Sequence, residues 1–166
     1  MTLEEDIQHL SELLDADDLV PYQATTGLAE IGDDAKNALA EQLARRLDPA
    51  PSGRLLARLP LIVTDENRDD LVSTLLMNLR SPDANARRAS LVGLDALGYE
   101  RTTDLALASL RDGADHVVAT AAQILVQHAD DPRVQGVLGD LIAAHRDDPD
   151  FHLTRSLLEA HGFGEG

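Results

Sequence analysis

The chain contains no cysteine. That excludes disulfides, thiolate zinc sites, iron–sulfur clusters and cysteine nucleophiles. It contains no tryptophan, and Tyr22, Tyr99, Phe151 and Phe163 are its only aromatic residues. The aromatic platforms on which single-stranded nucleic acids stack are therefore missing. Lysine is almost absent: Lys36 stands alone against 13 arginines. Positive charge as a whole is scarce, with 14 Lys and Arg against 30 Asp and Glu, a net charge of −16. Such a balance argues against wrapping a phosphate backbone. No apolar run approaches the roughly 20 residues of a membrane span. No signal-peptide pattern opens the sequence, so the expectation is a cytoplasmic protein. Strand signals are scarce, because no long stretch alternates apolar and polar residues around a hairpin dipeptide. The glycine-rich phosphate loops, the Gly-x-Ser-x-Gly elbow and the His-Glu-x-x-His zinc motif are missing too. These absences point away from an enzyme, a cofactor, a nucleic acid and a membrane.

Acid is what the chain has in plenty. There are 21 Asp and 9 Glu, spread along the sequence, so that residues 1–83 carry −10 and residues 84–166 carry −6. A disordered acidic tail would cluster its acids. The 43% apolar content instead fits a folded chain. At 166 residues the length suits one domain, long enough to bury about two-thirds of its unfolded surface. A domain so charged repels itself in dilute buffer. In molar salt the Debye length falls to about 3 Å and the repulsion is screened. The Asp-rich, Lys-poor, Cys-free composition is similar to that of haloarchaeal proteins; an acidic protein of a GC-rich bacterium is the alternative. The acidity then serves solubility first.

Helix punctuation recurs along the chain. Thr2 with Glu5 forms a capping-box pattern before Ile7, Leu10, Leu13 and Leu14. Asp17 or Asp18 opens a second helix ending at Gly32, and Asp33 or Asp34 opens a third, stopped by Pro49. A short helix is expected from Arg54 to about Val63, broken or bent at Pro60. Residues 66–80 form a strong helix through Leu71, Leu75, Leu76 and Leu79. Ser81-Pro82 reads as a cap with proline at the first helical position, and that helix closes on Gly98. Thr102 or Thr103 opens the next helix, which closes near Gly113, and Asp115 caps one from His116 to His128. Asp131-Pro132 and Asp148-Pro149 open the last two, the final one ending at Gly162. About ten helices joined by short turns make antiparallel pairs.

The pairs repeat. Residues 79–94 match residues 110–125 at an offset of 31, placing Leu79 on Leu110, Ser90 on Ala121 and Leu94 on Leu125. A fainter copy at an offset of 64 places Leu158 on Leu94 and Gly162 on Gly98. Self-similarity at this period marks a helical solenoid. Ser81-Pro82-Asp83, Ala86-Arg87-Arg88-Ala89-Ser90 and Leu94 through Gly98 resemble the HEAT-like repeat of phycobilisome-lyase-like proteins. The copy around Val118 lacks the arginine, and the outer copies are degraded. The resemblance implies one all-α domain over residues 1–166, a right-handed α-α superhelix of about five helix pairs. Its best repeats would be 66–98 and 101–128, with polar-faced capping helices near 3–14 and 149–161.

Paired acids such as Asp17-Asp18, Asp33-Asp34 and Asp147-Asp148 sit at helix starts, where carboxylates serve as caps. Six histidines could ligate a metal; His116, His145 and His152 belong to one edge of a helix-pair stack, His128 and His161 to the other. Helix-terminal surface histidines are the plainer account, and His128 and His161 stay as weak metal candidates. Residues 117–126 are apolar except for Thr120 and Gln123, which with Gln127 form one narrow stripe. Such a helix should be sandwiched by neighbours, with Val118 and Val126 buried rather than offered to a partner. The resemblance implies a non-catalytic adaptor or scaffold that grips another protein on the concave side of its second helices. Arg87, Arg88, Asp95, Gln123, Gln127 and Arg155 are the residues expected there. The arginines could hold a carboxylate or phosphate, or simply pair with Asp83 and Asp115. Other readings are chromophore attachment like that of bilin lyases, a metal or small-ligand binder, and an acidic mimic of nucleic acid. A monomer or a weak homodimer fits equally.

Overall fold

The computed structural model describes residues 2–15, 32–45 and 59–164. Eight α-helices and no strand are found among the described residues. The chain divides into two compact units, Met1–Tyr99 and Glu100–Gly166.

In the first unit, α1 (Leu3–Asp15) opens on the expected capping box. The Thr2 N–H donates to Glu5 Oε2 at 2.9 Å, and the Glu5 N–H to Thr2 Oγ1 at 3.3 Å. Two N–H groups that a helix start leaves orphaned are thereby satisfied. Leu10 is fully buried as α1 packs on α2 (Asp33–Arg45). Asp33 and Asp34 lie inside the first turn of α2, beside the positive end of its dipole. The helix expected before Gly32 lies outside the described residues. Of the short helix expected from Arg54 to about Val63, residues 54–58 lie outside the described residues, and the rest holds a 3-10 turn at Leu59–Leu61. Proline at residue 60 suits that turn, since it lacks the N–H a longer helix would need.

The helical hairpin of α3 (Arg68–Asn78) and α4 (Ala84–Ala96) completes this unit. Ser81 is not the cap of α4. Asp83 is, its carboxylate accepting the Asn85 N–H at 2.9 Å, while Ser81 Oγ accepts the Asp83 N–H. Pro82 thus falls in the turn, one residue ahead of the cap. Close approach depends on Gly93, where a Cβ would meet side-chain carbons of Leu59 and Leu75 at 3.1 Å. Gly98 ends α4 with φ +66, and Tyr99 N–H and Gly98 N–H donate to the carbonyls of Leu94 and Asp95. That is the Schellman closure expected of a glycine there.

The second unit holds two more hairpins: α5 (Thr102–Ser109) with α6 (Asp115–Val126), and α7 (Pro132–Ala144) with α8 (His152–Ala160). Asp131 caps α7 as expected, accepting the Arg133 N–H at 2.9 Å. Asp148 accepts the Asp150 N–H at 3.0 Å and opens a 3-10 turn, Pro149–Phe151, ahead of α8. Gly113 does not close α5, which ends at Ser109; Asp112 holds the turn by accepting the Ala114 N–H. The sandwiched helix is α6. It packs on both α5 and α8 and buries Val117, Val118, Ala121, Ala122, Ile124 and Leu125, with Val126 half-buried. Its near-continuous apolar surface demands neighbours on several sides.

The same two positions are buried in three helices. Ser90 and Leu94 on α4, Ala121 and Leu125 on α6, and Thr154 and Leu158 on α8 are all at most 1% exposed. Each pair is four residues apart, on one helix face. Gly162, with φ +85, closes α8 as Gly98 closes α4: Phe163 N–H and Gly162 N–H donate to Leu158 and Glu159. Where α4 and α8 bury a hydroxyl, α6 buries a methyl. The Ser90 hydroxyl donates to the Ala86 carbonyl at 2.8 Å, which satisfies a group that would otherwise be costly to bury.

Candidate functional site

The most tightly organised polar centre joins the N-termini of α6 and α8. Asp115 was expected to cap its own helix. It caps α8 instead. Its Oδ2 accepts the Leu153 N–H at 2.8 Å, and its Oδ1 accepts the Thr154 N–H at 3.0 Å and the Thr154 hydroxyl at 2.7 Å. The side chain is 11% exposed, with His152 Nδ1 at 3.7 Å. Burial by itself would push this carboxyl up, but the Thr154 hydroxyl, the two N–H groups and His152 outweigh it and hold the carboxyl below its usual range. One first-turn residue thereby fastens two second helices together.

The first helices of these hairpins are tied as well. Arg133 on α7 donates to Asp104 of α5 at 2.8 Å and to Asp131 at 2.9 Å. The Arg133 guanidinium and N–H lower the Asp131 carboxyl, and the two acids raise Arg133 in turn.

Of the residues expected to face a partner, only Gln127 is exposed; Arg87, Arg88, Asp95, Gln123 and Arg155 are half-buried. Gln123 and Gln127 do share a stripe with Thr120 on α6. Arg155 leaves that face. Its Nη1 donates to the carbonyls of His145, Arg146 and Asp148 at 3.5, 3.0 and 3.3 Å, in the turn between α7 and α8. Arg87 does the same in unit one, reaching the Ser81 and Pro82 carbonyls at 2.9 and 3.1 Å. Both arginines brace the turn before their own helix, a role that neither a partner site nor ion pairing had suggested. The carboxylates of Asp83 and Asp115 are meanwhile committed to backbone N–H groups.

His128 and His161 lie at the C-terminal ends of α6 and α8, where their N–H groups donate to Leu125 and Leu158. At the other ends, the His145 ring stacks on Phe151 with centroids 4.0 Å apart, and its Nδ1 lies 3.5 Å from Asp148. No three His, Asp or Glu side chains gather to hold a metal ion among the described residues.

Sequence reasoning missed a second polar centre, between α2 and α3. Asn37 Oδ1 accepts from the Thr64 hydroxyl at 2.9 Å and from Asn67 Nδ2 at 2.8 Å. Thr64 and Asn67 also cap each other's backbone N–H groups. The Thr-x-x-Asn spacing was the available signal, a capping box with amide in place of carboxylate. Beside it a groove of about 390 Å³ is lined by Asn37, Glu41, Glu66, Asp70, Ser73 and Thr74 among others.

No family model, curated protein or solved structure matches the chain.

Proposed function

We propose that the protein is a non-catalytic interaction module, a HEAT-like stack of helix pairs acting as adaptor or scaffold for another protein. The observation that carries this reading is the recurrence of the same buried positions in α4, α6 and α8. Repeated helix pairs of this kind supply binding residues from successive repeats. The polar centres support it. Their carboxylates, amides and arginines are occupied in capping helices and bracing turns, which leaves them no reactive partner arrangement. The acidity suits a cytoplasm of high salt, where the domain stays soluble and its charges are screened.

The test is purification of the tagged protein from its own source at native salt, followed by mass spectrometry. The expected result is one protein partner in stoichiometric amount. A protein that runs alone while carrying a chromophore or a metal ion would overturn the reading.

A further inference from the structure

Polar atoms buried without a hydrogen bond are rare in folded proteins, and each asks for a reason. Among the described residues, two side-chain nitrogens are in that position: His116 Nε2 and His145 Nδ1. His145 is the C-cap of α7, where its N–H donates to the Leu141 carbonyl. Its ring stacks on Phe151, with centroids 4.0 Å apart and planes 22° apart. Asp148 Oδ2 lies 3.5 Å from the idle Nδ1. The other Asp148 oxygen accepts the Asp150 N–H at 3.0 Å and opens the 3-10 turn that leads into α8. The Asp148 N–H donates to the His145 carbonyl, and the Phe151 N–H to the Asp148 carbonyl. The three side chains therefore belong to one hydrogen-bonded turn.

We propose that His145 is a proton-operated clasp on the turn between α7 and α8. Protonated, its Nδ1–H donates to Asp148 Oδ2 and its ring lies as a cation against Phe151. Neutral, Nδ1 makes no bond, and the turn opens more readily. A helix C-terminus, a carboxylate and an aromatic face each attract a cation, and His145 has all three. Two terms oppose them: the burial of Nδ1, and the Arg155 guanidinium of α8, whose Nη1 is 3.5 Å from the His145 carbonyl. The remaining charged groups of this edge are Arg146, Asp147 and Asp150, exposed around the turn, with Asp115, His116 and His152 at the starts of α6 and α8. Asp115 is committed to α8. Histidine is the side chain that ordinarily changes charge between pH 5 and 8. The clasp is therefore present at the acid end of that range and is lost as pH rises. It does not depend on what the protein binds.

The test is amide hydrogen exchange by NMR on the full-length protein, at about pH 5.5 and about pH 7.5. About 1 M salt screens distant charges and leaves a close, part-buried pair less affected. Protection factors correct for the intrinsic pH dependence of exchange. Those of Asp148, Asp150 and Phe151 should be about two- to fivefold higher at the lower pH, while those of α5 stay level. His145→Gln should abolish the difference. Asp148→Asn, which keeps an N-cap side chain, should reduce it, and serves as the second variant if His145→Gln disturbs folding. Equal protection at both pH values in the wild type would overturn the proposal. So would a difference that survives His145→Gln but vanishes in His152→Gln, since it would then belong to the Asp115–His152 pair.

Discussion

A carboxylate's work depends on which N–H groups it meets. Asp115 and Asp131 look alike in sequence, each at a helix start. Asp131 is a local cap with an arginine beside it. Asp115 fastens a helix 38 residues away, and its Thr154 partner is 1% exposed. Hydrogen bonds to a charged group contribute about 1.5–3 kcal/mol, more when removal strands buried donors. Asp115→Ala should therefore destabilise the second unit by about 2–3 kcal/mol in denaturant unfolding, and Asp131→Ala by clearly less. The pH dependence follows from the depressed Asp115 carboxyl. Its contribution is present above the unfolded-state value of about 3.9 and is lost as pH falls through the lower folded value. The stability difference between wild type and Asp115→Ala should thus shrink below about pH 4. Glycine tells a simpler story at Gly98 and Gly162. Open space surrounds the Cβ position at both, yet φ is positive. Gly162→Ala should cost about 1 kcal/mol through backbone strain alone, measurable as a lowered unfolding midpoint.

Helices were legible from their own residues; what they touch was not. The capping box of α1, the Asp-Pro starts of α7 and of the 3-10 turn before α8, and the glycine ends of α4 and α8 are local events within about six residues. The sequence therefore announces them. The cap of α4 is Asp83 rather than Ser81 because each oxygen accepts the N–H two residues further on: Ser81 takes that of Asp83, still in the turn, and Asp83 takes that of Asn85, inside the helix. The sequence places Arg87 and Arg155 on a partner-facing side or in ion pairs with Asp83 and Asp115, but a guanidinium also reaches the carbonyls of a neighbouring turn, and each does so here. The Asp115 fastening was illegible, since it joins residues 38 and 39 apart. If Arg155 braces the turn between α7 and α8, Arg155→Met should speed amide hydrogen exchange at residues 145–151 and leave α5 unchanged. Equal exchange in both proteins would deny the bracing role.

At the scale of the chain, the acidic charge lies outside a recurring core. Helices α4, α6 and α8 bury the same two positions, which leaves the rest of their surface free to be acidic. The cost of that surface is mutual repulsion, which salt screens over a Debye length of about 10 Å at 0.1 M and 3 Å at 1 M. The melting temperature should rise between these two salt concentrations; a salt-independent value would remove the high-salt account of the composition. The proposed role, holding another protein, is tested by light scattering on the complex isolated at native salt. The expected particle has a defined stoichiometry and is heavier than the 17.9 kDa chain by the mass of one partner. A particle of 17.9 kDa, alone at every stage of isolation, would contradict it.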